Sequence, residues 1–243
     1  MFFLERIRSI KKIDKVLEVG PGYTPFFRSD VLLEKIFENE SERLQQSGSK
    51  EERDLKKEVV FYKEDTFPFS DFEFDYVICS HVLEHIPKDH ISTFISELLR
   101  VARAGYIEVP SYCFELVTSL HCHLNLIFVD KKQTIHFLSK EDIDLDNVSY
   151  KKLREFFIKM NFNGQIIPLN LDYFGYGFEY KKEINYKIHD TSKSFFEAAE
   201  KDEIVYKVMW YKNCKYYLQR VVRFFNENII KQKIYNKFRI SMK

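Results

Sequence analysis

The stretch Val16-Leu17-Glu18-Val19-Gly20-Pro21-Gly22 constrains the fold more than any other part of the chain. Val16, Leu17 and Val19 are apolar and β-favouring, and two glycines then open a turn. The pattern predicts a buried strand ending in a glycine turn. Without a Cβ at such a turn, a ligand can lie directly against the backbone. Glu18 falls inside the strand, where an ionisable side chain is costly unless it has a partner.

Further apolar runs follow in an alternating order. Val31-Leu32-Leu33 predicts a second strand closed by Glu34, Val59-Val60-Phe61-Tyr62 a third, and Phe74 to Ser80 a fourth. Ile91, Phe94, Ile95, Leu98, Leu99 and Ala102 recur at helical spacing and predict a helix over Asp89–Ala102. Gly105 ends that helix, and Tyr106 to Pro110 is a fifth strand. Strands alternating with connections of this kind imply a doubly wound parallel sheet. In such a sheet an acid closing the second strand bonds ribose hydroxyls, usually about 20 residues beyond the glycines. Glu34 is the candidate, although it stands close after Gly22. Either the first crossover helix is reduced to about a turn or Glu34 is a surface acid; the apolar run before it favours the first. Residues 38–58 are charged and polar, and predict a solvated helix and loop.

The set Leu17-Glu18-Val19-Gly20-Pro21-Gly22, Phe67-Pro68-Phe69, Phe74-Asp75-Tyr76-Val77, Ser80-His81-Val82-Leu83-Glu84-His85-Ile86 and Glu97-Leu98-Leu99-Arg100-Val101 occurs in one order. In that order it resembles the class I S-adenosylmethionine-dependent methyltransferases, of the type 11 domain. Ala104 to Ser111 resembles a bacterial branch associated with glycan gene sets. The resemblance implies an α/β fold: a doubly wound, mostly parallel Rossmann-like sheet with a shortened first crossover, a β-rich insertion and a C-terminal helical extension. It implies S-adenosyl-L-methionine as cofactor. Gly20, Gly22 and Glu18 would border its aminoacyl part, Glu34 its ribose, and Ser80 and His81 its methylthio group. Lys63 falls where the family places the adenine-side acid, so that role moves to Asp65, with Glu64 beside it. The expected reaction is in-line methyl transfer to a small-molecule or glycan hydroxyl. The alternatives are a degenerate, cofactor-binding scaffold and a methyltransferase acting on RNA or protein.

A sulfonium needs little activation, so positioning carries most of the work. A base is needed only where the nucleophile keeps its proton. His81 is the candidate nearest the cofactor by motif, and a structural role for it is the stronger reading. His121 and His123 are candidates for the acceptor mouth. His121-Cys122-His123 also invites a metal, but zinc needs three or four convergent ligands. The others would be Cys113 or His136, and no recognisable spacing links them, so no metal is expected. Cys79 reads as a buried strand residue.

Three regions follow: residues 1–111 as the cofactor-binding core, 112–190 as sheet completion and acceptor region, and 191–243 as a basic helical extension. Leu126–Val129 and Thr134–Leu138 predict a hairpin, residues 149–160 a helix, and 165–189 strands capping the sheet. From residue 201 onward 11 Lys and Arg face 3 Asp and Glu, a net +8, whereas the whole chain is only +1. A basic tail with Trp210, Tyr211, Tyr217 and Phe225 at helical intervals admits three readings. These are helices packed on the core, a peripheral membrane contact, and a nucleic-acid arm, weighted in that order. No run of 18 apolar residues is present, a secretory signal is not expected from the first residues, and the four cysteines are scattered. A cytoplasmic protein is the expectation.

Overall fold

The computed structural model describes residues 3–22, 24–37, 39–47, 57–63, 66–143, 155 and 174–202. All lie in one unit, Met1–Glu203. The expected helix at 149–160 apart from residue 155, Asp65 and the basic tail beyond residue 202 fall outside the described residues.

The main sheet is built from β1 (Val16–Val19), β2 (Val31–Lys35), β3 (Glu58–Tyr62), β4 (Tyr76–Ser80) and β5 (Ala104–Pro110). These five run parallel in the order β3-β2-β1-β4-β5. β1 is buried along its whole length, as a central strand covered on both faces must be. A later strand, β8 (Gly175–Lys181), completes the sheet antiparallel to β5. The chain reverses order after β3, returning across β1 to β4, and the switch opens a crevice at the carboxyl ends of β1 and β4.

No helix occupies the described residues between β1 and β2; bends and turns carry the chain across. The reduced crossover is thus shorter even than the single turn expected. Asp30 bridges the gap by accepting from the Val16 amide at 2.8 Å, while its own amide donates to the Val16 carbonyl. α1 (Glu40–Ser47) lies in the polar insert before β3. α2 (Ile91–Val101) is preceded by a 3-10 turn, Lys88–His90, so the predicted helix start shifts by two residues. Its face Ile91, Phe94, Ile95, Leu98 and Val101 is buried in the main core.

After β5 come α3 (Tyr112–Thr118) and the hairpin of β6 (Asn125–Val129) and β7 (Ile135–Ser139). Asp130 shapes its turn, accepting from the amides of Lys132 and Thr134 at 2.8 Å. β9 (Tyr186–His189) adds parallel to β7, giving a second, three-stranded sheet. Alternation along β6 and β7 divides their side chains by face. Ile127, Val129, Ile135 and Phe137 join the main core, while Leu126, Phe128 and Leu138 pack with Phe195 and Ala199 of α4 (Ser192–Lys201).

Candidate functional site

The crevice holds a cavity of about 360 Å³. Gly20, Gly22, Glu34, Tyr62, His81 and Val82 contribute to its wall. Both glycines have positive φ, +59° and +55°. At Gly22 an added Cβ would meet nothing within 4 Å, and at Gly20 it would strike Val82 Cγ2 at 2.5 Å. The turn is therefore bent into a shape that costs a side-chained residue and leaves open space beside Gly22. The Gly20 amide donates to the Leu33 carbonyl at 2.9 Å, tying the turn to β2. One residue beyond that carbonyl, Glu34 brings a buried carboxylate to the wall.

Glu18 faces the other way, into the loop that replaces the first crossover. Its Oε2 accepts from the Phe26 amide at 2.8 Å and from Ser29 Oγ at 2.6 Å. Burial raises its pKa above the usual carboxylate value, against the lowering by these bonds and by Lys57. What it does in this geometry is hold the Phe26–Ser29 loop under the glycine turn. It is not among the cavity-lining residues.

His81 closes the cavity beyond β4, at a positive φ of 57°. Its Nδ1 is 3.2 Å from Glu84 Oε1 and its Nε2 is 3.1 Å from Glu108 Oε1. Burial alone would lower its pKa, but the two carboxylates outweigh that and raise it to about 9. The ring is thus held as an imidazolium, with no lone pair to take a proton from an acceptor. The geometry favours the structural role over the catalytic one. Glu108 is fully buried and anchors a wider network. It also accepts from Ser80 Oγ at 3.1 Å, Tyr106 Oη at 2.7 Å and the Phe3 amide at 2.9 Å. Burial would raise its pKa, yet His81, with the positive N-terminus and the Tyr106 hydroxyl, holds it down at about 2. Ser80 therefore serves Glu108 and does not line the cavity.

The far wall is aromatic. Tyr62 and Phe94 line the cavity, and Phe67 meets each of them edge-on at centroid distances of 5.2 and 5.4 Å. Phe67 is placed by α2, where Glu97 accepts its amide at 2.6 Å and Arg100 Nη2 donates to its carbonyl at 2.9 Å.

Of the acceptor candidates, His121 is exposed in the turn after α3, while His123 is buried with Nδ1 bonded to Glu115. They do not converge. Lys140 Nζ holds the other oxygen of Glu115 at 2.6 Å. Sequence reasoning missed Glu108 and Glu115 as the partners of His81 and His123. An acid inside an apolar strand, the signal noted at Glu18, marks Glu108 equally.

Residues 17–109 match the family model of a methyltransferase domain. Among solved structures, an S-adenosylmethionine-dependent methyltransferase from Methanosarcina mazei is 14% identical, over 51% of this chain and 70% of that one, with a TM-score of 0.32. A protein from Pyrococcus horikoshii is 17% identical, over 61% of this chain and 74% of that one, with a TM-score of 0.34. The search of curated proteins finds no match. The segment that the methyltransferase-domain model matches runs from β1 through β5, the same strands whose switch in order opens the crevice.

Proposed function

We propose that the protein transfers a methyl group in line from S-adenosyl-L-methionine to a hydroxyl of a small molecule or glycan. The observation that carries this reading is the cavity itself, which joins a glycine turn at positive φ to a buried carboxylate at the end of β2. The residues suit the cofactor. Gly22 leaves room where a side chain would stand, and Glu34 brings to the wall a carboxylate, the acceptor type that suits a ribose diol. Tyr62, Val82 and Phe94 supply apolar wall, and the volume lies in the range of small-molecule sites. When bound, the cofactor supplies an electrophilic methyl group on a sulfonium. The chain's part is then to orient the two reactants and to keep water out. His81 contributes a fixed positive edge held by Glu84 and Glu108 rather than a base.

Calorimetry with S-adenosylhomocysteine tests the reading. Wild type is expected to bind, and Glu34→Gln to bind about 10–100-fold more weakly, the loss for hydrogen bonds to a charged acceptor. Absence of heat from folded wild type would remove the cofactor assignment. Equal affinity in Glu34→Gln would remove the ribose role of that residue.

A further inference from the structure

A second group of side chains stands beside the cavity. One ligand atom from each of His85, Cys122 and His123 lies within 4.8 Å of the other two. The histidines are brought together from distant parts of the chain, and their rings meet edge-on at 4.7 Å. His85 follows β4, where it also lines the cavity, and Cys122 and His123 close the turn before β6.

Both rings are oriented as ligands are. His85 Nδ1 is bonded to the Cys122 carbonyl at 2.8 Å, and His123 Nδ1 to the buried carboxylate of Glu115. A ring whose Nδ1 proton is held by an oxygen acceptor presents the Nε2 lone pair, and this is the outer-shell arrangement that fixes metal-binding histidines. Glu115 is held in turn by Lys140.

The charge around the group points the same way. Glu84, Glu108 and Glu115 are each fully buried. His81 is shared by the first two, and Lys140 serves the third. Glu84 Oε2 is buried without a hydrogen-bond partner. Its backbone carbonyl accepts the Leu124 amide at 2.7 Å, so the acid is tied to the same turn that carries Cys122 and His123. A buried carboxylate oxygen that accepts no hydrogen bond is costly, and a divalent cation nearby offsets that cost.

We propose that His85, Cys122 and His123 bind a divalent ion of the zinc class. Two imidazoles and one thiolate select such an ion over magnesium or calcium, which take oxygen ligands. Three protein ligands leave a fourth position for water or another ligand. Because His85 is shared with the cavity wall, the ion borders that cavity.

The test uses the full chain without an affinity tag. Zinc affinity is measured by competition with a chromophoric chelator, and cobalt is added separately for its absorption spectrum. The expected result is one zinc ion per chain and a cobalt spectrum with a thiolate charge-transfer band. Cys122→Ser abolishes that band, and His85→Ala and His123→Ala each weaken zinc by more than about 100-fold. Glu115→Gln, which touches the metal only through His123, costs roughly 10–100-fold. His121→Ala, in the exposed turn, leaves affinity unchanged. Circular dichroism confirms that each variant is folded. The proposal is overturned if folded wild type takes up no zinc, if cobalt binds without the thiolate band, or if His121→Ala loses the ion while His85→Ala keeps it. Calorimetry with S-adenosylhomocysteine on the same samples separates this outcome from failure of the methyltransferase reading.

Discussion

At the scale of single residues, the cluster around His81 determines how the site responds to pH. His81 is a quarter exposed and sits between two carboxylates that are wholly buried. Its folded pKa of about 9 exceeds the ordinary 6.5, so the folded state binds the proton more tightly than the unfolded chain. That stabilisation is fully present below 6.5 and is lost as pH rises through about 9. It amounts to at most about 3 kcal/mol. Denaturant unfolding across that interval is therefore expected to show wild type losing stability, with His81→Gln much flatter. Parallel curves would mean that the ring is not charged in the folded protein. Glu108 acts at the other end. Its pKa near 2 gives stability that is present above the ordinary carboxylate value of 4.5 and is lost as pH falls through 2.

At the scale of elements, α2 places the aromatic wall. Arg100 bonds both oxygens of Glu97, at 2.6 and 2.7 Å, and donates to the carbonyls of Phe67 and Phe69. This clamp joins the last turn of the helix to the loop before β4. Arg100→Ala leaves Glu97 half compensated and two carbonyls without their donor. It is expected to cost about 2–4 kcal/mol in denaturant unfolding and to weaken S-adenosylhomocysteine binding. A stability loss with unchanged binding would show that the wall does not depend on the clamp. The helix period made α2 readable from sequence, because its buried positions recur every three or four residues. The carbonyl partners of Arg100, on Phe67 and Phe69, were not readable, since their position depends on the loop's path.

Across the whole molecule, the N-terminal segment straps the sheet. Phe3 is fully buried, its amide donates to Glu108, and its ring lies against Gly175 and Gly177 of β8. Arg6 covers that ring, with its guanidinium carbon 3.9 Å from the centroid, and donates to the Gly177 carbonyl at 3.1 Å. Phe3→Ala is expected to destabilise the fold by about 3–5 kcal/mol, as loss of a buried aromatic does. A loss below about 1 kcal/mol would show that the strap is not part of the cooperative unit. The second sheet is the other large-scale feature. It lays one face on the main core and the other on α4, and so residues 191–202 pack with the body. Among the described residues no helix is long and apolar enough to cross a membrane.

From sequence alone, the strands β1 to β5, the glycine turn and the hairpin of β6 and β7 were legible. Each rests on a short repeat of apolar residues or on a glycine at a strand end, and such signals act between near neighbours. Glu34 was legible in the same way, as the last residue of an apolar run. The charge state of His81 and the meeting of His85 with Cys122 and His123 were decided only by the tertiary structure. Glu108 reaches His81 through the register of β4 with β5, and the turn before β6 reaches His85 through the seating of the second sheet. Pairings of that kind depend on long-range registry and on burial. No local pattern encodes either, and burial is what turns an ordinary histidine and glutamate into a fixed ion pair.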